Sequence, residues 1–292
     1  MGKKIGTMLI LSLCLVCCFS LISFAQDEVD WEKGIITATG VGVPSSKAVS
    51  LSQARAMAYR AAKADAYRNL AEIIDGVQVD SETTVKNLAL ENDVINLKIK
   101  SFIKGARVVS EKMDRDGTWH VTMKLNLYGG TDSLSKTVYD NIAVPKKPLP
   151  EVTFDTVRTE VSTVKTSTVT LTETVSGQYT GLVVDVTGLQ LERCMSPKII
   201  DETGREIYGT MYVDGEYLSE YGILSYAYTP NMLAKVANGT SRAGNKPLTV
   251  KAVGVANHGY NMIISKADGD LILAANKTNG FLQKCAVIAK KG

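Results

Sequence analysis

Between Ser45 and Asp75 the chain contains neither glycine nor proline, and Ala, Arg, Lys, Leu and Met dominate the run. These residues lose least on entering a helix, so the spacing predicts one long helix. Gly76 follows where a left-handed C-terminal cap is expected. Upstream, Ile35-Ile36-Thr37-Ala38-Thr39 is β-branched and short, as a strand would be. Gly40-Val41-Gly42-Val43-Pro44 then reads as a turn that needs a flexible backbone. Strand, turn and long helix form the unit around which the first domain is built.

The apolar face of that helix is mostly alanine. Leu51, Ala54, Ala58, Ala61 and Ala62 form one stripe at helical spacing, and Ala66, Leu70 and Ile73 continue a neighbouring one. Small side chains let the axis approach its partner closely, and a sheet is the expected partner. Arg55, Arg60, Lys63 and Arg68 alternate with Asp65 and Glu72, a mixed-sign surface of the kind that solvates a helix through one-turn ion pairs.

Further on, Val77 to Val85 alternates as a strand would, Asn87 to Ile103 carries a helical pattern, and Gly105 ends it. Ala106 to Met113, the turn Asp114-Arg115-Asp116-Gly117 and Trp119 to Leu127 make a hairpin. Trp119, Val121, Met123, Leu125 and Leu127 share one face of its second strand. The order β-α-β-α-β-β gives an α+β domain, a two-layer sandwich with the long helix on an antiparallel sheet, over residues 26–130.

The first 25 residues read as a signal peptide. Lys3 and Lys4 precede the apolar run Met8 to Phe24, and Ser23-Phe24-Ala25 supplies small residues at −3 and −1 for cleavage before Gln26. An uncleaved anchor and lipidation at Cys18 are the alternatives; Cys18 lacks the small preceding residue that a lipidation site requires. Of five cysteines, Cys14, Cys17 and Cys18 lie in this leader. Cys194 and Cys285 remain, either as a disulfide of an exported chain or as two buried thiols. Removing the leader takes two lysines from 33 basic residues and leaves 31 against 30 acidic ones, so no basic excess points to nucleic acid.

Residues 131–178 read as a Pro- and Thr-rich linker, with Val144 to Pro150 stiffened by proline and Thr156 to Val175 either an exposed strand or a spacer. A second two-layer α+β domain is expected over 179–292: a buried strand at Gly181 to Val186, a hairpin from Ser196 to Gly209, a short helix around Leu218 to Tyr226, a strand at Leu248 to Val255, a helix from Ser265 to Asn276 and a last strand at Cys285 to Lys290.

No motif carries chemistry. Gly40-Val41-Gly42 lacks the third glycine of a dinucleotide fingerprint. The two histidines, His120 and His258, have no second ligand at helical or strand spacing, and no Gly-x-Ser-x-Gly elbow is present. Neither a metal nor a cofactor is therefore expected. Tyr212, Tyr217, Tyr221 and Tyr226 could form an aromatic surface for cell-wall glycan or peptide, or an ordinary core rim. The acidic turn residues Asp201 and Glu202, with Asp214, Glu216 and Glu220 nearby, would have to serve a hydrolase.

The Gly-rich turn after a strand, the helix Ala54 to Leu70, Gly76-Val77-Gln78-Val79, Ile103-Lys104-Gly105-Ala106 and the Trp119 hairpin, in that order, resemble the Lpp-twenty lipoprotein family and the related flagellar accessory proteins FlgP and FlgT, over about Ile35 to Tyr128. The resemblance implies a bacterial envelope protein without enzymatic activity, found in periplasmic or outer-membrane assemblies. Its partners would be envelope proteins or further copies of itself, with membrane contact only through the N-terminus. The family's lipidation site is not cleanly matched here, and the motif brings no catalytic residues.

Overall fold

The computed structural model describes residues 28–142, 146–152 and 179–292. The leader, Cys18 and the Thr156 to Val175 stretch lie outside the described residues. The long helix α1, Leu51–Gly76, starts at Ser50, whose side chain accepts a hydrogen bond from the Gln53 amide at 3.1 Å, while Gln53 reaches back to the Val49 amide at 2.8 Å. This reciprocal arrangement satisfies amides that the first turn would leave unpaired.

The buried face of α1 is a single row at every fourth residue: Ala54, Ala58, Ala62, Ala66, Leu70 and Ile74. Leu51 and Ala61, expected on the stripe, are exposed because strict i+4 spacing leaves them off the row. Strand β2, Ile35–Gly42, follows the row and runs through the glycines that were expected to turn. A Cβ on Gly40 would stand 2.1 Å from the Ala66 nitrogen, and one on Gly42 1.9 Å from the Ala58 oxygen. Neither glycine has a positive φ. They are there because two backbones touch, a requirement of space and not of backbone flexibility. Gly76 likewise stays helical, and the extended Val77 ends the helix.

The first sheet has the order β1-β2-β4-β3, all antiparallel, with β1 at Glu28–Asp30, β3 at Arg107–Met113 and β4 at Trp119–Asn126. Ile36, Ala38 and Gly40 pair with Leu125, Met123 and Val121 on the face that α1 covers. Gly117 makes the hairpin turn at φ +89°, as expected. The opposite face is polar, with Thr37, Thr39, Thr122 and Lys124 at its centre, Thr122 buried and the others half-buried. Where β2 outruns β1 its edge is capped by α1: Asp65 accepts from the Val41 amide at 2.9 Å and Asn69 donates to the Thr39 carbonyl at 2.8 Å. Capping an edge in this way keeps it from pairing with another chain.

Val77 to Val85 is no strand. Asp80 gathers the Glu82 and Thr83 amides into a tight turn, and only a bridge between Gln78 and Thr84 remains. The helical pattern beyond it divides at Asn92 into α2, Val85–Glu91, and α3, Asp93–Lys104, because the Asn92 side chain caps the Val94 and Ile95 amides. A further helix α4, Leu134–Tyr139, adds Leu134 and Val138 to the first core. The observed order is therefore β-β-α-α-α-β-β-α.

The second region is α+β as expected but carries two sheets. One is parallel, β8-β12-β5-β9, with β5 at Gly181–Asp185, β8 at Ser225–Ala227, β9 at Pro247–Lys251 and β12 at Val287–Lys290. Its central strands are buried without alternation through Leu182 to Val184 and Val287 to Ala289, as a sheet covered on both faces requires. The other is mixed, β10-β11-β6-β7, with β6 at Ile199–Asp201, β7 at Glu206–Tyr208, β10 at Gly254–Ala256 and β11 at Asn261–Ile264. Three helices complete the region: α5, Gly215–Tyr221; α6, Pro230–Ala237; and α7, Lys266–Asn279. The expected helix to Tyr226 stops at Gly222, whose φ of +69° ends α5. The expected strand Leu248 to Val255 is two strands in different sheets.

The two regions are docked. Trp31 packs edge-on against Tyr226 at 5.8 Å, and Tyr226 against Tyr228 at 5.6 Å. Glu32 accepts hydrogen bonds from Thr229 and Asn231, each at 2.5 Å. The Met195 and Ser196 amides donate to the Gln78 and Val79 carbonyls at 2.9 and 2.7 Å, and Met195 sits in the core of the first region. Within the expected linker, Lys147 bonds to the Met211 carbonyl while Leu149 and Val152 pack on the second core.

Candidate functional site

Helix α4 stands as a ridge at the junction, with a groove on either side. Ser133 caps it, and Ser135 donates across the junction to the Ser219 carbonyl at 2.8 Å. Lys136 and Asp140 form an ion pair of 2.8 Å along the ridge. The first groove, about 610 Å³, lies between α4 and α5 and is lined by Lys136, Tyr139, Asp140, Ile142, Asp214 and Glu220 among others. Burial raises the Tyr139 phenol well above its ordinary value, and its hydroxyl is held by the Met195 carbonyl at 2.7 Å, so it stays protonated.

The second groove, about 740 Å³, opens between α3, α4 and the start of the β3–β4 hairpin. Lys98, Arg107, Lys124 and Lys136 contribute its cations, Asp132 and Asp140 its acids. Lys98 is fixed by the Asn141 side-chain oxygen at 2.7 Å. Arg107 and Lys124 are directly opposite each other across the β3–β4 ladder. Like charges in that relation repel, and no ion pair or hydrogen bond from either side chain is present among the described residues. Both grooves are in the size range of small-ligand sites.

The residues singled out from sequence do not converge. Tyr217 and Tyr221 stack on α5 at 6.1 Å and are exposed, and Arg242 lies over Tyr221 at 5.8 Å. Tyr226 is buried in the junction, its hydroxyl accepting from the Cys194 amide and donating to the Cys194 carbonyl, so it belongs to the core and not to a surface. Tyr212 is half-buried in a separate short turn. Cys194 and Cys285 are separate free thiols, both buried, and the disulfide is not formed. Burial pushes their pKa values up to about 12 and about 11.

Asp201 organises its own hairpin. It accepts from the Thr203 amide and hydroxyl and from the Arg205 amide and guanidinium, and Arg205 also binds Asp270 at 2.7 Å. Burial alone would raise its pKa; these donors outweigh burial and hold it below the ordinary carboxylate value. Glu202 accepts from the Lys266 amide and Asp214 caps α5. His120 is partly covered and pairs with Asp114 at 2.9 Å. Among the described residues no cluster of three His, Cys, Asp or Glu side chains is placed to hold a metal.

Arg107, Lys124 and Lys98 went unremarked in the sequence. Counting back from the Gly117 turn places Arg107 opposite Leu125, and only the bulge at Val109 moves it opposite Lys124.

These features describe an α+β chain of two docked regions with a basic groove beside α4. Residues 33–126 match the model of the LPP20 lipoprotein family. That match spans the stretch, Ile35 to Tyr128, over which the resemblance was read. Residues 181–289 match the second domain of Treponema pallidum Tp0624. No curated protein matches the chain. No helix among the described residues is long and apolar enough to cross a membrane.

Proposed function

We propose that this is a non-enzymatic protein exported to the bacterial envelope, where the docked two-domain body serves as an assembly component. The match of residues 33–126 to a lipoprotein family carries the reading, and the Lys3-Lys4 start, apolar run and Ser23-Phe24-Ala25 site support it. The non-enzymatic part is supported by Asp201, the most buried carboxylate singled out for chemistry, being saturated by its own turn. Flagellar or outer-membrane structures are the setting that the resemblance to FlgP and FlgT implies.

The test is cell fractionation combined with intact-mass analysis and in-cell crosslinking. An envelope-fraction protein whose mass begins at Gln26, or at a lipid-modified Cys18, with a fixed ladder of crosslinked copies or partners, is expected. A cytosolic protein retaining Met1 would overturn the reading.

A second reading, a binding module for wall glycan through the tyrosines, rests on exposed Tyr217 and Tyr221 alone, since Tyr226 is in the core. A melting shift with wall fragments that is lost in a Tyr217→Ala, Tyr221→Ala double variant would favour it.

A further inference from the structure

The groove between α3, α4 and the hairpin holds a charge arrangement that the fold leaves unbalanced among the described residues. On the same hairpin, Lys112 and His120 share Asp114 at 3.0 and 2.9 Å. Arg107 and Lys124, four pairings further from the turn by register, have no such acid among the described residues. A mature chain of nearly equal positive and negative count has no compositional need to oppose two cations. Lys98, oriented by Asn141, adds a third cation, while Lys136 and Asp140 pair with each other, leaving Asp132 as the acid without an ion pair in the lining. Ser101, Asn126, Thr131 and Thr137 supply neutral hydrogen-bonding groups around them.

We propose that this groove is a binding site for a phosphate monoester. Its dianion neutralises both opposed cations. The planar Arg107 guanidinium can take two phosphate oxygens side by side while Lys124 meets the third as a point charge. The volume leaves room for the organic part of the ester against Phe102. The site does not depend on the exported reading; it commits only to the chemistry of the headgroup, which a soluble ester and a lipid both offer.

The mature full-length protein is titrated by calorimetry and by thermal melting with inorganic phosphate and glycerol 3-phosphate. Its co-sedimentation with phosphatidylcholine vesicles is measured with and without phosphatidic acid. Binding to the soluble probes, or to the phosphatidic acid vesicles only, supports the site and tells a free ester from a lipid. Arg107→Gln and Lys124→Gln should each weaken binding by roughly tenfold or more, and each should melt no lower than the parent without ligand, because each relieves the repulsion. Lys124→Glu should abolish binding and melt higher, since it pairs with Arg107. Failure of every probe to bind, unchanged affinity in the Gln variants, or Gln variants that melt well below the parent would overturn the proposal. The last outcome would mean that the two cations are structural.

Discussion

Replacing Gly42 by alanine adds one methyl group where the backbone of α1 already lies. The new Cβ would stand 1.9 Å from the Ala58 oxygen and 2.5 Å from the Ala62 nitrogen, against the 3.0 Å below which real Cβ contacts essentially never fall. Both neighbours are backbone atoms of a 26-residue helix, so no side chain can rotate aside. Strand and helix must part by about an ångström, which forfeits a quarter to a half of the dispersion well for atoms along the contact. Overpacking of this kind costs about 3 kcal/mol, reduced by somewhat under 1 kcal/mol because alanine restricts the unfolded chain. The net loss of about 2 kcal/mol corresponds to a melting temperature lower by roughly 4–8 °C for a chain of this size. Gly76→Ala is the internal control. Its Cβ meets nothing within 4 Å and its backbone is already helical, so the same substitution should stabilise by about 0.5 kcal/mol. Calorimetric melting of both variants checks the argument. A Gly42→Ala protein melting within about 2 °C of the parent, or a Gly76→Ala protein falling as far as Gly42→Ala, would refute close approach as the reason for these glycines.

Ala58→Leu should destabilise by about 3 kcal/mol because Ala58 is fully buried on the same row, whereas Ala61→Leu should stay within about 0.5 kcal/mol because Ala61 faces solvent; equal melting shifts would contradict the assignment. Cys194 and Cys285, pushed up to about 12 and about 11 by burial, should resist a thiol-reactive disulfide reagent at pH 8 and both react after denaturation. An intact mass that rises on reduction would instead reveal a disulfide. Asp201→Asn should cost about 2 kcal/mol at neutral pH. Because the folded carboxyl titrates below its unfolded value of about 3.9, its contribution is fully present above that pH and lost as pH falls through the lowered value, so the parent and variant melting curves should converge in acid. Parent and variant curves that stay apart by a constant amount throughout the acid range in which the parent unfolds would contradict this.

The candidate site was far less legible than the fold. Every residue of the basic groove was visible in the sequence, yet nothing local distinguishes Lys124 from Lys112 on the same face of the sheet, and of the two only Lys112 receives an acid among the described residues, from the turn. Tyr226 illustrates the opposite error. Its neighbours on α5 are exposed, but the chain reverses at Gly222 and carries it into the junction against Trp31, almost two hundred residues away in sequence.

By itself the sequence determined the long alanine-rich helix, the Gly117 hairpin with its buried face from Val121 to Leu127, and the α+β class. Each rests on local propensity or on a period repeated within a few turns. Tertiary structure alone decided why Gly40 and Gly42 are glycines, that the two regions dock through Met195, Trp31 and Ser135, and that Arg107 faces Lys124. Each of these depends on the spacing between elements distant in sequence, or on one bulged residue that shifts a ladder by a single position and moves a side chain from the face under α1 to the opposite, polar one.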